Sequence, residues 1–158
     1  MRLGLIAAAT GALVLSTTAA WATHDVRCIQ GRVQANSAYQ ELVLSYDGSL
    51  LVEVSFRNEI GPSLSGNYFG CSLHASRQRP GRGDSWLIKD GLAKIGIASS
   101  TSSGQMAAEV AVEDAGEQIV ATFNVSEAME FCGAQAGIPE RIRIDRRTGR
   151  CLFDGPQL

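Results

Sequence analysis

Residues 41–56 read ELVLSYDGSLLVEVSF. Two apolar runs meet there across Asp47-Gly48-Ser49. An Asp-Gly pair between β-branched and apolar residues is a strong local signal for a β-hairpin, because the tight turn needs a backbone conformation that glycine adopts without steric cost. In the second arm Leu50, Val52, Val54 and Phe56 fall on one face, and Leu51, Glu53, Ser55 and Arg57 on the other. That alternation is the pattern of a half-buried strand.

The same grammar recurs along the chain. Asp90-Gly91 separates apolar runs at 86–89 and 92–98. Asp114-Ala115-Gly116 separates 105–112 from 117–125, and Arg146-Arg147-Thr148-Gly149 separates 141–145 from 150–153. Further strands are expected over 26–34 and 67–75. The spacing of Ala128, Phe131 and Cys132 predicts one short helix over 126–136, with Ser126 as its cap. Successive hairpins with a single helix point to an all-β chain, a small antiparallel sandwich or barrel.

The amino-terminal segment has a different character. Arg2 precedes an uncharged, proline-free stretch from 3 to 20, which ends Ala20-Trp21-Ala22. Small residues at −3 and −1 fit cleavage after Ala22, the form of a secretory signal peptide. Thr10, Ser16, Thr17 and Thr18 dilute its apolarity, which argues against a retained anchor. The expected mature chain is a single domain, 23–158, periplasmic or secreted. No later stretch is long and apolar enough to span a membrane.

The whole chain has 158 residues, with 14 basic and 16 acidic side chains and a net charge of −2. Hydrophobic residues make up 45% and charged residues 19%. These values exclude a disordered chain, a coiled coil and a nucleic-acid binder that works by bulk charge.

Cys28, Cys71, Cys132 and Cys151 all lie in the expected mature part. An even count in an exported chain implies two disulfides. Of the three pairings, Cys28–Cys71 with Cys132–Cys151 is favoured, the second closing a short loop. The main rival joins Cys28 to Cys151 and Cys71 to Cys132. No two cysteines have the spacing of a zinc site or of a Cys-x-x-Cys redox motif, so neither a metal nor another cofactor is expected.

Candidate functional residues fall into three groups. Arg141, Arg143, Arg146, Arg147 and Arg150 place five cations within ten residues. Such a patch could hold a phosphate, a sulfate or an acidic protein surface through paired guanidinium hydrogen bonds. His74 and the acidic turn Glu113, Asp114 and Glu117 are the candidates for catalysis, although no Gly-x-Ser-x-Gly elbow accompanies them. Arg82-Gly83-Asp84 spells an adhesion tripeptide within a polar loop, a three-residue match too common by chance to make a candidate.

The third group is the loop Ser63-Leu64-Ser65-Gly66-Asn67-Tyr68. It resembles the Ser-Gly-x-x-Tyr-type loop of periplasmic inhibitors of c-type lysozyme, small disulfide-linked β-barrels in which that loop enters the lysozyme cleft. Trp86 with Lys89-Asp90-Gly91-Leu92-Ala93 is similar to their Trp-x-Lys-Gly-x-x-Ala stretch. The resemblance spans residues 28–97 and implies a contact role for Ser65, Asn67 and Tyr68. The chain departs from the pattern in having one residue between Gly66 and Tyr68 where two are expected, and in the long interval from Tyr68 to Trp86.

The resulting expectation is an exported, non-catalytic binding domain whose partner is a protein or an anionic ligand. A lysozyme-inhibitor-like protein is its specific alternative, and a small extracytoplasmic hydrolase the second alternative.

Overall fold

The computed structural model describes residues 23–31, 38–60, 69–133 and 136–155. The expected signal peptide and the contact loop with Ser65, Asn67 and Tyr68 lie outside the described residues.

The first sheet contains β1 (Thr23–Gly31), β2 (Ala38–Asp47), β3 (Leu50–Ile60) and β4 (Phe69–Ser76), paired in that order. The second contains β5 (Ser85–Lys89), β6 (Leu92–Ala98), β7 (Met106–Asp114), β8 (Gln118–Val125), β9 (Arg141–Asp145) and β10 (Cys151–Asp154), again in chain order. Every pairing is antiparallel.

All four expected hairpins form. Asp90 and Gly91 have φ values of 50° and 79°, the left-handed conformation at both central positions that a tight two-residue hairpin turn demands.

Leu42, Leu44, Val54, Phe56 and Leu73 of the first sheet face Ile95, Val110, Ile119, Ala121 and Ile142 of the second across one core. Phe56 and Phe123 meet there as a tilted aromatic pair, 5.6 Å between centroids. No ladder joins β4 to β5 or β10 to β1, so the molecule is sandwich-like and not a closed barrel.

One departure from simple alternation lies in β3. Ser45 pairs with Glu53 and Tyr46 with Leu51, which leaves Val52 as an extra residue in a bulge. The bulge brings both Leu51 and Val52 into the interior, whereas strict alternation would have exposed Leu51. The Val52 carbonyl accepts the Arg77 N–H at 2.8 Å, so the irregularity also anchors the loop after β4.

The helix is shorter than expected. Only α1 (Ala128–Phe131) forms, a single turn. Ser126 does not cap it. Its hydroxyl donates to the carbonyls of Met106 and Ala107, at 2.6 and 3.0 Å. Continuation is stopped by Cys132, which turns extended and bridges to Cys71 of β4.

The favoured cysteine pairing is corrected. Cys28 is joined to Cys151 and Cys71 to Cys132, with Cα separations of 5.7 and 4.0 Å. The reason is the strand order. Cys28 on β1 and Cys71 on β4 lie at opposite edges of a four-stranded sheet. Three strand spacings separate them by roughly 14 Å, about twice the reach of a disulfide. Cys132 is in turn held at β4, where the Gly133 N–H also donates to the Gly70 carbonyl at 2.9 Å. Among the described residues no helix is long and apolar enough to cross a membrane.

Candidate functional site

The arginine cluster is built on the β9–β10 hairpin. In β9, Ile142 and Ile144 are buried against the core, so Arg141, Arg143 and Asp145 project from the outer face. In β10, Phe153 points inward while Leu152, directly opposite Arg143, is 59% exposed.

Asp145 shapes the connecting turn. Its Oδ1 accepts the Thr148 backbone N–H at 2.7 Å and the Thr148 hydroxyl at 2.8 Å. The Gly149 N–H closes onto the Asp145 carbonyl at 2.8 Å. These bonds, the Thr148 backbone N–H foremost, hold the Asp145 carboxyl below the usual aspartate range, so it stays ionised.

The five arginines then separate by partner. Arg143 Nη2 donates to Asp154 Oδ1 at 3.1 Å and lies 2.8 Å from Oδ2 in the same ion pair. Arg146 Nη2 reaches Asp114 Oδ2 of the β7–β8 hairpin at 2.6 Å. Arg141, Arg147 and Arg150 form no salt bridge among the described residues. Arg143, Arg147 and Arg150 border one concavity of about 430 Å³, together with Gln118, Thr148 and Leu152. Arg141 instead borders a separate cleft with Glu140 and Asn124. The structure therefore brings together three of the five arginines that the sequence clusters.

The remaining candidates lie away from the arginine hairpin's concavity. Glu113 and Glu117 are exposed, and Asp114 between them is engaged by Arg146 and by the Gly116 N–H. His74 projects from the outer face of β4, its Nδ1 3.8 Å from Glu53 Oε1. The Asp84 carboxylate accepts the Gly81 N–H at 2.8 Å and the Ala98 N–H at 3.0 Å. Those bonds close the 77–84 loop onto β6, so the acid of the adhesion-like tripeptide is used internally. Trp86 packs against the core. Lys89 and Asp90 of the inhibitor-like stretch stand exposed at the β5–β6 turn.

A further concavity, about 780 Å³, lies between β4, the 99–105 loop and α1, and brings together His74, Arg82 and Asp84, which sequence reasoning named separately. Its wall contains His74, Ser99, Ser100 and Glu130. The Ser99 hydroxyl donates to Glu127 at 2.8 Å, and the Ser100 N–H donates to Glu130. Hydrogen bonds from Ser100 and Ser99 hold Glu130 below the usual glutamate range. The sequence traces of this site, His74, the 82–84 tripeptide, a serine-rich run and Glu127 with Glu130, lie far apart along the chain, so no local pattern connects them. Comparison with protein-family models, curated proteins and solved structures yields no match.

Proposed function

We propose that this chain is an extracytoplasmic, non-catalytic binding domain that engages an acidic partner through the β9–β10 hairpin. The observation that carries this reading is the convergence of Arg143, Arg147 and Arg150 on one concavity, with Arg147 and Arg150 forming no salt bridge among the described residues. Exposed guanidiniums that form no salt bridge are suited to recognition, because each keeps its planar fork of donors for an incoming oxyanion. Two disulfides agree with an oxidising compartment. Within this reading the signal segment is cleaved between Ala22 and Thr23, and the mature chain is periplasmic or secreted.

The test uses the mature, oxidised, isotope-labelled protein and a heparin oligosaccharide as a generic polyanion at low salt. Chemical-shift changes are expected to centre on residues 143–152 and to disappear in an Arg147→Glu/Arg150→Glu variant. Shifts spread evenly over the surface, or none, would overturn the assignment.

A further inference from the structure

Resting on that reading, we infer that the concavity between Arg143, Arg147 and Arg150 is a subsite for a dianionic phosphoryl group carried on an apolar moiety. Three features point to this chemistry. First, the wall holds three guanidiniums and one carboxylate, Asp145; Asp154, which pairs with Arg143, lies outside the wall. With Asp154 counted as well, the cluster keeps a net positive charge, which attracts a phosphate monoester, close to two negative charges near neutral pH, more strongly than it attracts a monoanion.

Second, the donor supply matches a tetrahedral oxyanion. Arg147 and Arg150 have no salt-bridge partner among the described residues, and both are exposed. Gln118 adds an amide at the same wall. Arginine forks bind phosphoryl oxygens in paired hydrogen bonds, which a single-point cation does not reproduce.

Third, the site is concave and has an apolar flank. A volume of about 430 Å³ lies within the small-ligand range and exceeds the needs of a bare ion. Leu152 borders it and is 59% exposed, although Ile142, Ile144 and Phe153 of the same hairpin are buried. An exposed leucine among arginines offers a surface to the carbon skeleton that bears the phosphoryl group.

The experiment titrates the mature, oxidised protein with phenyl phosphate, inorganic phosphate and benzenesulfonate, followed by backbone amide shifts. Phenyl phosphate is expected to bind saturably at residues 143–152, about tenfold more tightly than benzenesulfonate, the scale of one charge-assisted hydrogen bond. Leu152→Ser should reduce phenyl phosphate to the affinity of inorganic phosphate. Arg147→Gln/Arg150→Gln should weaken it by about tenfold or more, while Arg77→Gln/Arg79→Gln, on a distant loop, should leave it unchanged. Co-sedimentation with phosphatidylcholine vesicles, with and without phosphatidic acid, separates the two sources. Acid-dependent sedimentation assigns a lipid headgroup, and phenyl phosphate binding without it assigns a soluble monoester. Equal affinity for phenyl phosphate and benzenesulfonate, or no saturable binding of either, overturns the inference. If the heparin oligosaccharide still binds at the hairpin in that case, the binding-domain reading survives; if it too fails, both are lost.

Discussion

The Asp145 carboxylate spans the arginine hairpin's turn through the Thr148 N–H and hydroxyl. Because those bonds favour the ionised form, the folded-state pKa lies below the ordinary 3.8. The stabilisation is therefore complete above that ordinary value, and is lost as the pH falls through the depressed one. Protection of the Thr148 amide from hydrogen exchange is expected to decline below about pH 4. In Asp145→Asn the same amide should lose that acid step; an identical acid profile in the two proteins would show that the carboxylate does not hold the turn. At this scale the sequence was partly legible. Alternation of Ile142 and Ile144 with Arg143 correctly sets an arginine on the outer face. Which arginines keep free donors was not legible, because Asp114 lies 32 residues from Arg146 and meets it only through the fold.

Among elements, the segment from 126 to 140 shows how tertiary contacts override a local pattern. Its residues carry a helical spacing, yet only one turn survives because Cys132 is drawn onto β4. A second anchor is Asn58 of β3, fully buried, whose Nδ2 donates to the Gly137 carbonyl at 2.8 Å. Asn58→Ala should cost about 1–3 kcal/mol in urea unfolding, since it orphans a carbonyl and leaves a small void. It should also accelerate exchange of the Gly133 amide. A variant with the wild-type midpoint and exchange rate would show that the disulfide alone fixes this segment. The hairpins were legible because Asp-Gly turns act within a few residues. The β3 bulge was not, because either phase of Leu51-Val52 presents an apolar face and only the facing sheet chooses.

Among the described residues, no strand ladder crosses the two seams between the sheets, β1 with β10 and β4 with β5. The core and the two disulfides hold the layers together there. Cys28–Cys151 spans 123 residues of chain. By the loop-entropy argument its removal costs about 5 kcal/mol. Cys28→Ser/Cys151→Ser should therefore lower the urea midpoint strongly while the far-ultraviolet β signal of the folded protein persists. An unchanged midpoint would show that the seam is closed by apolar packing without help from the covalent link. Neither pairing was legible from spacing, because proximity in sequence says nothing about the distance between opposite edges of one sheet.

The strand order also has a consequence for biogenesis. In a meander each strand's partners are its neighbours in the chain, so the first sheet can assemble before the second has been synthesised. The cysteines do not follow that order. Cys28 and Cys71 emerge first, but the partner of Cys28 lies in the last strand. A chain oxidised before the first sheet has formed can join Cys28 to Cys71, a pair that the folded sheet holds too far apart. Its route to the native state then passes through disulfide exchange, and its yield depends on an isomerase more than on an oxidant.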